Sequence, residues 1–214
     1  MKRAYGLDIP TTLEDACDPR RTALLVYDMQ VGIVPQIPTG REVMAQVARV
    51  LAAARQGGYR VFFTRHMALP NAVAGVAQLR LAMEWQRVDD PTRTVPKFTR
   101  GSPAHEIVPD LAPTADEAVF DKLAMSAFEG TPLDFALRDC AIDSFVIVGI
   151  ALEVGIEPTV RHATDLGYFP IIVRDACGYR DAPAAERAWA GFAFAGGSLV
   201  TDVETITRLL STPR

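Results

Sequence analysis

The sequence predicts an α/β fold, a doubly wound and mostly parallel six-stranded sheet with helices on both faces. Short apolar runs of about 4–8 residues alternate with stretches of helical periodicity, the pattern of strands buried on both faces and the helices that cover them. A length of 214 residues with 49% apolar content supplies one large core, so residues 1–214 read as a single domain. No internal repeat or low-complexity tract interrupts the alternation.

Residues 1–21 read as a polar leader. Thr22 to Tyr27 is the first strand. Val43, Val47, Val50, Leu51 and Ala54 recur at spacings of three and four, which makes Arg41 to Gln56 an amphipathic helix stopped by Gly57-Gly58. Arg60 to Thr64 is the second strand. Residues 65–116 form a long insertion with prolines at 70, 91, 96, 103, 109 and 113 and one helix near Ala77 to Arg87. Insertions of that length in compact domains usually serve function or assembly. This one is expected to wall the active site or an interface, with Trp85 and Phe98 crossing from a partner subunit.

Glu117 to Asp121 is the third strand, and Pro132 opens a short helix over Leu133 to Arg138. The fourth strand, Ser144 to Ile150, leads through a turn into a helix from about Val154 to Leu166 with Pro158 near its start. Phe169 to Arg174 and Ser198 to Val200 complete the strands, and Trp189 to Phe194 reads as core. Thr201-Asp202-Val203-Glu204 has capping-box spacing before Ile206, Leu209 and Leu210, so a helix closes the chain.

Charge and composition narrow the partners. The formal net charge is -4 and the sequence pI about 5.4, with no basic run and no aromatics among arginines, which argues against a nucleic-acid partner. The opening residues Met1 to Pro10 lack a continuous hydrophobic stretch, and no apolar run approaches the roughly 20 residues needed to cross a bilayer. A cytoplasmic protein with a small-molecule substrate and no membrane partner is expected. Cys17, Cys140 and Cys177 are odd in number and widely spaced, so they read as reduced thiols and small buried hydrophobes. His66, His105 and His162 are isolated, and no cysteine or histidine pair has zinc-ligand spacing.

Ligands of such sheets bind at the carboxyl ends of the strands, where the strand order reverses. Asp28 follows the buried first strand and Lys122 closes the third. The segment Ile147 to Gly155 brings a tight turn and a helix start to the end of the fourth, where free N–H groups favour negative charge. Taken alone, Asp28 also fits a turn or cap residue and Lys122 a solvated lysine; two opposite charges at neighbouring strand ends are more informative together. His66 and Phe128 are the substrate-contact candidates, while Tyr179-Arg180-Asp181 reads as polar loop.

Four ordered blocks carry a resemblance. They are Leu25-Val26-Tyr27-Asp28-Met29-Gln30; Lys122 with Ser126-Ala127-Phe128-Glu129-Gly130-Thr131-Pro132-Leu133; Val148-Gly149-Ile150-Ala151 through Gly155 to Thr159 and Ala163; and Gly167-Tyr168 with Val173-Arg174-Asp175-Ala176. From about Thr22 to the end, the chain resembles the isochorismatase-like hydrolases. The resemblance implies a catalytic Asp, Lys and Cys in a homodimer or homotetramer. Asp28 and Lys122 match the first two, the cysteine position falls on Gly155, and the family's non-proline cis peptide would fall at Ile150-Ala151.

A glycine has no side chain to attack a carbonyl, so a thioester route through Gly155 is excluded. The true isochorismatases carry a glycine at the matching place and cleave a vinyl ether with the aspartate as proton donor, followed by water. Their aromatic residue at the position of Ala151 and their glutamine near His66 are missing here, which points to a substrate other than isochorismate. Arg65-His66-Met67 also lacks the ligand spacing of the metal-bearing nicotinamidases.

The expectation is therefore a hydrolase without metal or organic cofactor. Asp28 would act as acid or base and Lys122 would hold its charge. Backbone groups around Ile150, Ala151 and Gly155 would receive developing negative charge, and the small Gly155 would leave space for water or substrate. An amide or C–N hydrolase using direct water attack, and a non-catalytic binding relative, are the competing readings.

Overall fold

In the computed structural model, which describes residues 1–212, the leader is ordered rather than trailing. β1 (Lys2–Ala4) and β2 (Leu7–Ile9) form an antiparallel hairpin, followed by the one-turn helix α1 (Leu13–Ala16). Thr12 and Asp15 cap that helix reciprocally, each side chain accepting from the other's backbone N–H at 3.2 Å. Cys17 follows, fully buried against the main core.

The remaining elements alternate along the chain: β3 (Thr22–Tyr27), α2 (Gly40–Gln56), β4 (Arg60–His66), α3 (Val76–Gln86), β5 (Ala118–Lys122), α4 (Leu133–Asp139), β6 (Ser144–Ile150), α5 (Glu157–Asp165), β7 (Phe169–Gly178), α6 (Ala182–Ala195), β8 (Leu199–Thr201) and α7 (Val203–Leu210). The six strands from β3 onward form one parallel sheet in the order β5-β4-β3-β6-β7-β8. The order reverses between β3 and β6, so the crevice at their carboxyl ends is the place where such a sheet takes a ligand.

Every residue of β3 and β6 is buried, which is why both read as unbroken apolar runs. Even-numbered residues of β3, Leu24 and Val26, face a core shared with Val43, Val47, Val50 and Leu51 of α2 and Val203, Ile206 and Leu210 of α7. Leu25 and Tyr27 face the other, built from Leu133 and Leu137 of α4, Val160 and Ala163 of α5, and Ala185, Ala188, Trp189 and Phe192 of α6. Gly149 lets β6 approach β3: its φ is +132°, and a Cβ there would lie 2.0 Å from the Tyr27 carbonyl oxygen.

Three expectations are corrected. The closing helix is capped by Asp202, whose Oδ1 accepts from Thr205 N at 2.8 Å, one residue later than the Thr201 box. Phe194 is not core; at 95% exposure it stands on the outer side of α6, whereas Trp189 and Phe192 are buried. β7 runs four residues past Arg174, because a register shift opposite Ile147 and Gly149 accommodates the polar Arg174 and Asp175 before pairing resumes at Cys177.

The insertion is held by charge at its base. Asp121 on β5 receives Arg65 Nε at 2.8 Å, His105 Nε2 at 3.2 Å and Arg100 Nε at 3.4 Å, so both ends of the 100–106 stretch are tied to the strands. α3 buries no residue of its own and lies over the strand ends, where it meets the crevice. Among the described residues no helix is long and apolar enough to cross a membrane.

Candidate active site

Asp28 leaves β3 with φ +48°, a left-handed conformation that aspartate tolerates better than most side chains. Its carboxylate is 2.7 Å from Lys122 Nζ, and its other oxygen accepts from Thr64 Oγ1 at 2.7 Å. The pair reaches across β4: Asp28 and Lys122 belong to strands two apart, about 10 Å by sheet spacing, a gap that needs a long cationic side chain. Thr64, between them, pairs with Tyr27 in register and supplies the second donor.

Both charged groups are withdrawn from water, with side-chain exposures of 6% for Asp28 and 0% for Lys122. Burial pushes the Lys122 ammonium below its ordinary pKa, while Asp28 pulls it back up. The Lys122 Nζ also donates to the Ala124 carbonyl at 3.3 Å and stands 4.4 Å from the centre of the Tyr27 ring. Exposed pairs such as Arg87–Glu84 contribute at most about 1 kcal/mol. Removing one partner from a buried pair costs about 3–5 kcal/mol.

A cleft of about 440 Å³ opens above Asp28, within the usual size for small-molecule sites. Ile33, Ile37, Trp85, Phe98, Met125 and Val154 give it apolar walls, and Ala151 and His66 also line it. Glu84, Arg87, Arg180 and Asp181 line it as charged groups. Trp85 and Phe98, expected to cross from a partner subunit, thus line the cleft of their own chain beside Asp28. Arg180 and Asp181 are more than polar loop: Glu153 Oε1 accepts from both their backbone N–H groups, at 2.8 and 2.9 Å, fixing this wall to the turn after β6.

His66 is positioned by Gln30, a fully buried residue two places after Asp28. Gln30 Oε1 accepts from His66 N at 2.6 Å, and its Nε2 donates to the carbonyls of His66 and His105 at 3.0 and 2.9 Å. The His66 ring meets Phe98 edge-on at 6.0 Å. Burial, reinforced by Lys122, lowers its pKa to about 4, so the imidazole is neutral at pH 7.

That shift carries a stability consequence. A group depressed from 6.5 to about 4 on folding contributes stability that is fully present above 6.5 and lost as pH falls through 4, about 3 kcal/mol in all. Urea denaturation of the parent and His66→Gln at pH 7, 5 and 4 is expected to show the parent losing stability faster by about that amount. Parallel pH profiles would contradict it.

The turn after β6 departs from expectation at Gly155. The Ile150–Ala151 peptide is cis. Residues Leu152–Ile156 form a π-helical turn in which Gly155 N and Ile156 N both donate to the Ala151 carbonyl, at 3.0 and 3.2 Å. The Gly155 N–H is therefore engaged and is not available for a developing oxyanion. The expected free space is also absent: a Cβ built on Gly155 would lie 1.9 Å from the Tyr27 hydroxyl oxygen. Of Ile150, Ala151 and Gly155, Ala151 alone lines the cleft.

Phe128 is likewise off the cleft. It packs against Phe145, His162 and Tyr168 with ring centres 5.5–6.0 Å apart, because its loop is drawn into the core by Ala127 N, which donates to Thr159 Oγ1 at 2.9 Å. Cys177 is buried against the Ile147 carbonyl and burial pushes its thiol pKa far up, the opposite of an activated nucleophile. Among the described residues no group of three or more His, Cys, Asp or Glu side chains is arranged to hold a metal ion.

Comparison with known proteins agrees with this architecture. The isochorismatase domain family matches residues 22–205. The isochorismatase family protein YecD of Escherichia coli O157:H7 is 33% identical over 163 residues, covering 74% of this chain and 80% of that protein. The ureidoacrylate amidohydrolase RutB of Serratia proteamaculans is 29% identical over 213 residues, 91% of this chain and 85% of the relative. A cysteine hydrolase from Pseudomonas syringae pv. phaseolicola superposes with a TM-score of 0.75 at 26% identity, over 90% of this chain and 93% of the other.

Proposed function

The chain belongs to the isochorismatase family of hydrolases, and from that premise we propose that it hydrolyses small molecules through Asp28, Lys122 and water, without a covalent intermediate. The observation that carries the reading is the buried Asp28–Lys122 contact of 2.7 Å, whose Asp28 partner lines the cleft. Gly155 stands at the cysteine position of the family's thiol enzymes, so water is the nucleophile left.

The first reading of the reaction is vinyl-ether cleavage. Asp28 would deliver a proton to the unsaturated carbon, water would add to the resulting oxocarbenium, and the hemiketal would collapse to a carbonyl and an alcohol. The Lys122 ammonium beside the carboxylate favours its charged form, so the acid role draws its proton from Lys122, whose own ammonium is disfavoured by burial. Lys122 can therefore hand its proton to Asp28, and the pair acts as a proton store for the carbon.

A second reading has a specific observation behind it. Thr64 and Lys122 both donate to Asp28, an arrangement that favours the carboxylate and hence a base that activates water for attack on an amide or other C–N bond. The amidohydrolase name of the 29% identical relative points the same way. Vinyl ethers and amides of small acids or ureas, assayed side by side with the parent and Asp28→Ala, separate the two. Turnover of neither class would favour a binding relative over an enzyme acting through this pair.

Water chemistry also implies that no acyl-enzyme accumulates. Intact-mass spectrometry during turnover, at each substrate the screen identifies, is expected to show only the mass of the free chain. A mass increment mapped to Cys140 or Cys177 would overturn the non-covalent route.

A further inference from the structure

Tyr27 is fully buried, and three contacts place it at the centre of the site's support. Its ring lies 4.4 Å from Lys122 Nζ, and its hydroxyl donates to the carbonyl of Met125, a residue of the cleft wall. A Cβ at Gly155 would meet its hydroxyl oxygen at 1.9 Å and two of its ring carbons at 2.5 and 2.6 Å, where real contacts essentially never fall below 3.0 Å. The ring is packed in the core beneath α4, α5 and α6 and cannot swing aside without displacing them.

We propose that Tyr27 is a positioning residue for this site, complementary to Gly155: it takes the volume a side chain at 155 would need, and from there its ring carries the Lys122 ammonium while its hydroxyl fixes the turn bearing Met125. The idea rests on the reading of Lys122 and Asp28 as the reactive pair, and goes beyond it in naming what replaces the lost side chain. Filling the nucleophile's place with a phenol makes glycine obligatory at 155 for steric reasons.

The test uses the sign of a small substitution. Gly155 sits in a helical turn without positive φ, where glycine to alanine ordinarily raises the melting temperature, by roughly 1–4 °C in a chain of this size. With Tyr27 present, Gly155→Ala is expected to lower it instead, by about 3 °C or more. In a Tyr27→Val background, or Tyr27→Leu if the first does not fold, the same substitution is expected to raise it relative to that background. A parent made equally or more stable by Gly155→Ala, or an effect of the same sign in both backgrounds, overturns the complementarity.

The positioning role has its own readout. NMR titration of the Lys122 side chain is expected to give the parent's midpoint in Tyr27→Phe, which keeps the ring, and a midpoint lower by about 0.4 pH units or more in Tyr27→Leu. Equal midpoints in all three proteins overturn it. Neither measurement involves turnover, so both stand or fall apart from the assignment of Asp28 as the reactive group.

Discussion

Asp28→Asn is expected to lower turnover by about 10²–10⁴-fold with a much smaller change in KM, because on the proposed mechanism it removes a proton carrier while keeping the side chain's shape. Asparagine can still accept from Thr64 Oγ1 through its carbonyl oxygen, so the strand ends keep one of the two contacts made by Asp28. Its NH₂ faces the Lys122 ammonium, however, and two donors cannot satisfy each other. Lys122, already depressed by burial, then sheds its proton more readily, which limits the loss of stability to less than a fixed buried charge would cause.

The variant should thus remain folded by circular dichroism and melt at a lower temperature than the parent. Full activity in a folded Asp28→Asn protein would remove Asp28 from the mechanism. Loss of folding would instead say that the pair is chiefly structural. Measuring kcat and KM alongside the melt separates these outcomes.

Most of the sheet was legible because its strands are buried on both faces and so leave apolar runs. Where burial is interrupted, legibility ends: Arg174 and Asp175 made β7 look four residues shorter, although the strand resumes beyond them. The leader hairpin carries no signal at all, since its residues are largely exposed and pair with each other rather than with a core. Asp28 and Lys122 were singled out by the strand-end rule and meet at 2.7 Å, and the same rule, applied to Thr64, would have pointed to the second donor to Asp28.

Tyr27 was hidden for a different reason. In a strand of six buried residues it reads as one more apolar side chain, and only the geometry of the neighbouring turn gives its hydroxyl a role. Trp85 and Phe98 were recognisable as aromatic residues of an insertion, but the insertion's path depends on Asp121 gathering Arg65, Arg100 and His105, a tertiary event without local periodicity. Gln30 and Glu153 act through backbone groups of distant residues, which no spacing in the sequence encodes.

Lys122→Met should produce the largest loss of stability, and one whose dependence on pH identifies its cause. The substitution leaves Asp28 buried at 4% exposure with Thr64 as its remaining side-chain donor. A stranded carboxylate takes up a proton on folding, so its folded pKa rises above the unfolded value of about 3.9. A group raised in this way contributes stability that is present below the unfolded pKa and lost as pH rises through the folded one. The gap between parent and variant should therefore be small near pH 4 and widen toward pH 8, reaching about 3–5 kcal/mol, or roughly 6–20 °C in melting temperature. Adding Asp28→Asn should recover part of that loss at pH 8, since the double variant holds no unpaired charge, and the cycle will be non-additive by about 1 kcal/mol or more. Urea denaturation at pH 4, 6 and 8 measures all of this. A cost below about 1 kcal/mol that does not change with pH is the behaviour of a solvated surface pair, and it would mean that water reaches these two groups freely, leaving no buried proton store on which the proposed chemistry can draw.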